Sequence, residues 1–219
     1  MLKTLRRWFK GKPIGIDFQP MQAWCESRGW TFKLNQEANG FSVTPSDAHR
    51  WRMEWGPSHR RYLGDFELRL RGETGMGTHV FGVVMPREQL EALDRELFNQ
   101  YVDGVETQAN DHTPEEVRWL AVAPRLDAKA LGPLRGLLAA VGNVTPWLQA
   151  WLAGPAGQQL GAWLQAPAAP PLVLIAQQGK LTLRMGMHHP DMSYITDAIH
   201  LFEVALIEAR KLGDHPPAS

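Results

Sequence analysis

The chain has 219 residues, 44% hydrophobic and 21% charged, which is the make-up of an ordinary globular protein with material for one domain or two small ones. Its zero net charge hides an asymmetry, because five of the 23 basic residues lie among the first twelve, where no acid occurs; the remainder holds 18 basic against 23 acidic residues, a net of about −5. A mildly acidic body argues against a general nucleic-acid binder, whose affinity comes from neutralising phosphates.

The first expected element is an amphipathic helix in residues 1–12. At about 100° per residue, Leu2, Leu5, Trp8 and Phe9 share one side, and Lys3, Arg6, Arg7 and Lys10 fall opposite. Gly11 offers a stop and Pro13 forbids continuation. So short a helix is marginal in water and needs an apolar surface to lie on. Two functional occupants suit it: an anionic membrane surface, or a groove on a protein partner. Docking on its own domain, or a disordered tail, is the plainer alternative. The apolar residues are interleaved with Lys and Arg, so no secretory signal is expected here. No stretch reaches the roughly 20 apolar residues of a membrane-spanning helix. The lone cysteine, Cys25, excludes an internal disulfide and suits a reducing, cytoplasmic compartment.

Residues 13–17 read as a linker. Phe18–Arg28 reads as a helix with Met21, Trp24 and Cys25 inward, closed by Gly29. Trp30–Asn35 and Phe41–Thr44 are expected strands, joined through an Asn39-Gly40 turn with positive φ. The clearest signal follows. In Arg50–Trp55 and Phe66–Arg71, apolar residues (Trp51, Met53, Trp55; Phe66, Leu68, Leu70) alternate with charged ones, as in a sheet with one buried and one wet face. Arg52, Glu54, Glu67 and Arg69 would then form a solvated ladder. A short strand, Arg60–Leu63, is expected between them, completing an antiparallel meander.

His79–Met85 reads as an apolar strand. Pro86 suits the first position of a helix reaching about Thr107, with Leu90, Leu93, Leu97, Tyr101 and Val105 at helical spacing. At 114–123 the signals conflict. Thr113-Pro114-Glu115-Glu116 has the form of a capping box, but Val117–Val122 is β-branched and aromatic, and the reading leans to strand. Lys129–Val141 and Pro146–Gln165 are expected helices, the second interrupted at Gly154-Pro155. They overlap a tract of 44 uncharged residues, Gly136–Gly179, read as buried. Leu172–Ala176 and Lys180–Met185 form a hairpin around Gln178-Gly179, and Asp191–Leu212 a final helix burying Ile195, Ile199, Phe202 and Leu206.

The fold class is therefore α+β: antiparallel β-meander sheet material with packed helices. Its divisions are the helix 1–12, the linker 13–17, a domain over 18–212 and a tail, 213–219. The domain is either one unit on a continuous sheet or two lobes, 18–110 and 111–212.

Few motifs carry chemistry. The Trp/Arg-rich strands suggest a single-stranded nucleic-acid platform, but alternation puts aromatics and charges on opposite faces, and no nucleic acid is expected. Gly72–Gly77 precedes a strand and lacks the Lys-Ser/Thr of a phosphate loop. His188-His189 lacks a second paired spacing, so no metal is expected, and no cofactor motif is present. Cys25 beside Trp24 reads as inert core. His200 reads as a polar-face residue, and Glu115 and Glu116 as complements to a helix dipole.

Trp24 with Arg28-Gly29, the run Trp51–Ser58, Glu67–Arg71 and Leu181–Arg184 resemble an uncharacterised proteobacterial protein family. The resemblance implies a bacterial setting and supplies no site. The expectation is a non-catalytic cytoplasmic binding or scaffold protein, peripheral to a membrane through Leu2, Lys3, Leu5, Arg6, Arg7, Trp8, Phe9 and Lys10. The alternative is an enzyme whose site is assembled in space.

Overall fold

The computed structural model describes residues 15–37, 39–46, 49–102 and 114–214. The N-terminal segment singled out above, Leu2–Lys10, lies outside the described residues. Helix α1 (Gln19–Ser27) leads into β1 (Thr31–Leu34), β2 (Phe41–Thr44), β3 (Trp51–Pro57) and β4 (Phe66–Glu73). Then come β5 (Phe81–Pro86), α2 (Arg87–Val102), α3 (Glu115–Val122) and β6 (Leu138–Gly142). Helices α4 (Thr145–Ala153) and α5 (Pro155–Gln165), strands β7 (Leu172–Gln177) and β8 (Lys180–Gly186), and helix α6 (Met192–Asp214) complete the order. The fold is α+β.

All eight strands join one antiparallel sheet in the order β1-β2-β3-β4-β8-β7-β5-β6. The first four form the expected meander. The β7–β8 hairpin then inserts between β4 and β5, so both β-rich stretches contribute to a single sheet. The hairpin turn has the expected chemistry, with Gln178 at φ 50° and Gly179 at φ 71°.

One face carries the main core. Trp51, Met53, Trp55, Leu68, Leu70, Leu181, Leu183, Met185 and Leu174 are buried there, against α1, α4, α5 and α6. Helix α6 buries Ile195, Ile199, Phe202 and Leu206 as its periodicity predicts, and Asp191 caps it by accepting from the Ser193 and Tyr194 amides (2.8 and 3.2 Å). A second, smaller core lies on the opposite face, where Val83, Met85, Val141, Val173 and Ile175 meet Leu90 and Leu93 of α2 and Leu120 of α3.

Several expectations fail for identifiable reasons. Arg60–Leu63 is no strand; Arg61–Leu63 makes one turn of 3₁₀ helix ending at Gly64, whose φ is 91°. Glu115–Val122 is helical, with Pro114 at its N-cap and no side-chain cap bond, so burial of Val117 and Leu120 on one helix face outweighs β-propensity. Lys129–Val141 is not a helix. Gly132 and Gly136 adopt positive φ (51° and 83°), which stops helix growth, and the chain then extends into β6. Covered on both faces, β6 shows no alternation, and a short buried strand cannot be told from a buried helix by period. Pro86 closes β5 rather than opening α2. Gly40 is required for a close approach instead of a positive φ: a Cβ there would sit 2.5 Å from the Trp55 carbonyl oxygen.

The Gly154-Pro155 break folds α4 sharply against α5. A Cβ on Gly157 would stand 1.8 Å from the Leu152 carbonyl oxygen, a backbone atom that cannot yield. Gly157→Ala should therefore cost about 3 kcal/mol, at the upper end of overpacking. Gly161→Ala meets only the Leu134 Cδ2 methyl, at 3.1 Å, and should cost much less. Urea midpoints of the two variants check this; equal midpoints would show that the break is not built on Gly157.

Candidate functional site

Among the described residues, the second face of the sheet is only half covered. Helices α2 and α3 lie over the β5–β6 side, and from β1 to β8 polar side chains project instead. Pairing sets these in cross-strand rows. Glu54, Arg69 and Arg184 form one row, Arg52, Arg71 and Thr182 the next, and Glu73 with Lys180 closes the end.

Charge is compensated at the end near α3. Arg184 donates to Glu67, whose other carboxylate oxygen accepts from the Ser58 hydroxyl at 3.2 Å. Arg69 donates to Glu54. Arg60 donates to both carboxylate oxygens of Glu116, the second at 3.3 Å, and the Tyr62 hydroxyl adds a bond of 2.6 Å. Glu67 and Glu116 have side chains only 8% and 3% exposed, so the expected solvated ladder is in part a buried network. Burial alone would raise the Glu116 pKa, but the hydrogen bonds from Arg60 and Tyr62 hold it below the ordinary carboxylate value. Burial and the charge of Glu116 push the Tyr62 hydroxyl upward. Each carboxylate thus has its donors, and the network works as a clamp that fastens α3 and the Arg61–Leu63 turn to the sheet.

At the opposite end the charges are only partly compensated among the described residues. Arg52 and Arg71 are directly paired across β3 and β4 and project from the same face, where like charges disfavour the pairing. Arg52 approaches Glu54 only to 3.7 Å. Arg50, Arg71 and Lys180 have no side-chain ion-pair or hydrogen-bond partner among the described residues, and the Arg71 Nε is buried and unpartnered. These four cations line a cleft of about 500 Å³ together with Glu73, Thr44 and Ser46. Arg50 holds a left-handed backbone (φ 52°), a conformation costing an L residue about 1 kcal/mol. Its carbonyl accepts from Arg210 Nη2 at 3.5 Å, and Arg210 Nε donates to the Glu73 carbonyl at 2.8 Å. Burial and the Arg50 charge lower the Arg210 pKa.

The remaining sequence candidates are placed as follows. Cys25 is fully buried and burial pushes its thiol up to about 11, which leaves it unreactive. His188 and His189 are exposed, with rings 4.5 Å apart. Among the described residues no group of three His, Cys, Asp or Glu is placed to hold a metal ion. His49, not His200, approaches Glu203, at 2.9 Å, and Trp51 Nε1 donates to the same oxygen at 3.0 Å. Among the described residues no helix is long and apolar enough to cross a membrane.

Sequence reasoning missed two features. Glu116, a dipole complement by its sequence position, lies one turn before Leu120 and on a helix shares its inward side, where both are buried. The cationic cleft needs Lys180 beside Arg71, and that neighbourhood exists only through the β4–β8 pairing.

No protein-family model matches the chain, and no curated protein matches it. Among solved structures, the crystal structure of the mycobacterial trehalose monomycolate transport factor A, TtfA, aligns with 90% of this chain and 95% of its own, at 10% identity and a TM-score of 0.44.

Proposed function

We propose that this chain is a non-catalytic binding or scaffold protein, held at the cytoplasmic face of a membrane by its N-terminal segment. The observation that supports a binding role is the asymmetry of the sheet. One face is packed under four helices, while among the described residues the other is covered only on its β5–β6 side and presents charged side chains over the rest. The location rests on the sequence of residues 1–12. Leu2, Leu5, Trp8 and Phe9 enter the interface, and Lys3, Arg6, Arg7 and Lys10 face anionic headgroups, each contributing about 1 kcal/mol near the surface. A single buried thiol fits a reducing compartment.

Vesicle co-sedimentation tests the reading. Full-length protein should pellet with phosphatidylglycerol-containing vesicles and not with phosphatidylcholine alone, and the association should weaken as salt screens the basic side. Trp8→Glu should abolish pelleting without moving the urea midpoint. Equal sedimentation of the variant and the wild type, or none by either, removes the membrane assignment. A protein-groove partner for residues 1–12 would then be the reading to pursue.

A further inference from the structure

The cation-rich end of the open face has features that the clamp does not explain and that a membrane-anchoring segment does not need. Arg50, Arg52, Arg71 and Lys180 converge on one cleft, and among the described lining residues only Glu73 opposes them, so that described lining carries three net positive charges. Two of the arginines face each other across adjacent strands at a position where a Glu would have stabilised the sheet. Among the described residues the Arg71 Nε is buried without a partner, as is the Arg184 Nε next along the sheet. Arg50 keeps a backbone conformation that glycine would adopt freely. Each arrangement works against stability in the free protein, and an anion seated in the cleft would relieve the two electrostatic ones.

We infer that this cleft is a phosphoryl-binding site, taking a phosphate or diphosphate group that is either free or carried on a lipid headgroup. Guanidinium forks match the tetrahedral oxygens of a phosphoryl group with paired N–H bonds, and Lys180 adds a mobile point charge. Thr44 and Ser46 line the same cleft, and hydroxyl side chains can serve as uncharged donors there. The charge forms one spot rather than a track, which suits a single phosphoryl group and not a polymer. The described lining of the cleft comes from residues 44–46, 50–52, 71–73 and 180, so the proposal does not depend on residues 1–12 binding a membrane.

Calorimetric titration of the full-length protein with pyrophosphate and with inorganic phosphate, against sodium chloride at matched ionic strength, tests the site. Two variants separate binding from folding. Arg52→Glu exchanges the 3.7 Å contact with Glu54 for a favourable cross-strand pair with Arg71, and Arg50→Gly relaxes the left-handed backbone. Both should keep or raise the melting temperature while weakening pyrophosphate about tenfold or more. A second arm identifies the source of the phosphoryl group. Full-length Trp8→Glu is mixed with phosphatidylcholine vesicles with and without phosphatidic acid, and Arg52→Glu is then added to that background. Recruitment by phosphatidic acid that Arg52→Glu abolishes assigns a lipid headgroup; saturable heat with free phosphate and no recruitment assigns a soluble ligand. The proposal is overturned if neither arm shows binding. It is equally overturned if Arg52→Glu and Arg50→Gly bind as wild type, or if binding falls only together with the melting temperature.

Discussion

Trp151→Ala should lower the free energy of unfolding by about 3–5 kcal/mol, the cost of emptying a large aromatic site in a core. Trp151 is 1% exposed, stacks on Trp147 with ring centroids 5.3 Å apart, and donates its Nε1 to the Ala205 carbonyl of α6 at 3.0 Å. The truncation therefore removes volume from the main core and the hydrogen bond that ties α4 to α6. Whole domains are stable by only about 5–15 kcal/mol, so the variant should retain a small fraction of the wild-type margin. Trp147→Phe is the informative control. Trp147 is also buried, yet its Nε1 has no partner among the described residues, so deleting that polar atom should cost little or even stabilise. Urea denaturation followed by circular dichroism reads both. A midpoint for Trp151→Ala within error of wild type would show that α4 is not held between the sheet and α6.

Glu116→Ala should cost a similar amount, about 3–5 kcal/mol, because it leaves the Arg60 charge partly buried and unmatched and takes away the acceptor of Tyr62. Replacing both partners, as Arg60→Met with Glu116→Leu, should recover much of the loss, since two apolar groups carry no desolvation debt. Tyr62→Phe alone should cost about 1 kcal/mol. The pair also predicts a pH dependence. The folded pKa of Glu116 lies below its ordinary value of 4.5, so its contribution is complete above that value and is lost as pH falls through the lower folded value. The wild-type midpoint should thus decline on acidification below about pH 4.5 more steeply than that of the double variant. Parallel acid limbs would show that the clamp does not depend on an ionised Glu116.

How far the sequence could be read depends on where each element sits in the layers. The alternation of Trp51, Met53 and Trp55 with Arg52 and Glu54, and of Leu68 and Leu70 with Glu67 and Arg69, placed β3 and β4 and the buried face of each, because these strands have one core face and one polar face. The Gln178-Gly179 turn, the Gly29 stop and the Asp191 cap were equally legible, since each depends on backbone conformations or hydrogen bonds within a few residues. Where an element is buried on both faces the pattern disappears. Residues 138–142 carry no alternation, and only their pairing with β5 beneath α2 makes them a strand. Residues 115–122 have strand-like propensity, and burial of Glu116, Val117 and Leu120 against the sheet makes them a helix.

The same division applies to function. The charge segregation of residues 1–12 is a local property that the amino-acid order alone establishes. That both β-rich stretches share a single sheet, with the last hairpin inserted between β4 and β5, follows from pairings more than a hundred residues apart, such as Leu70 with Leu183. The open face is likewise tertiary. Arg50, Arg52 and Arg71 can be read as charged positions on strands or turns, but whether each meets a carboxylate or another cation depends on which strand is its neighbour. Pairing sets Arg184 opposite Arg69 and diagonal to Glu67, to which it donates, while Arg71 faces Arg52 and lies diagonal to Lys180. Charge is fixed residue by residue, and its compensation is fixed only when distant strands come within hydrogen-bonding distance.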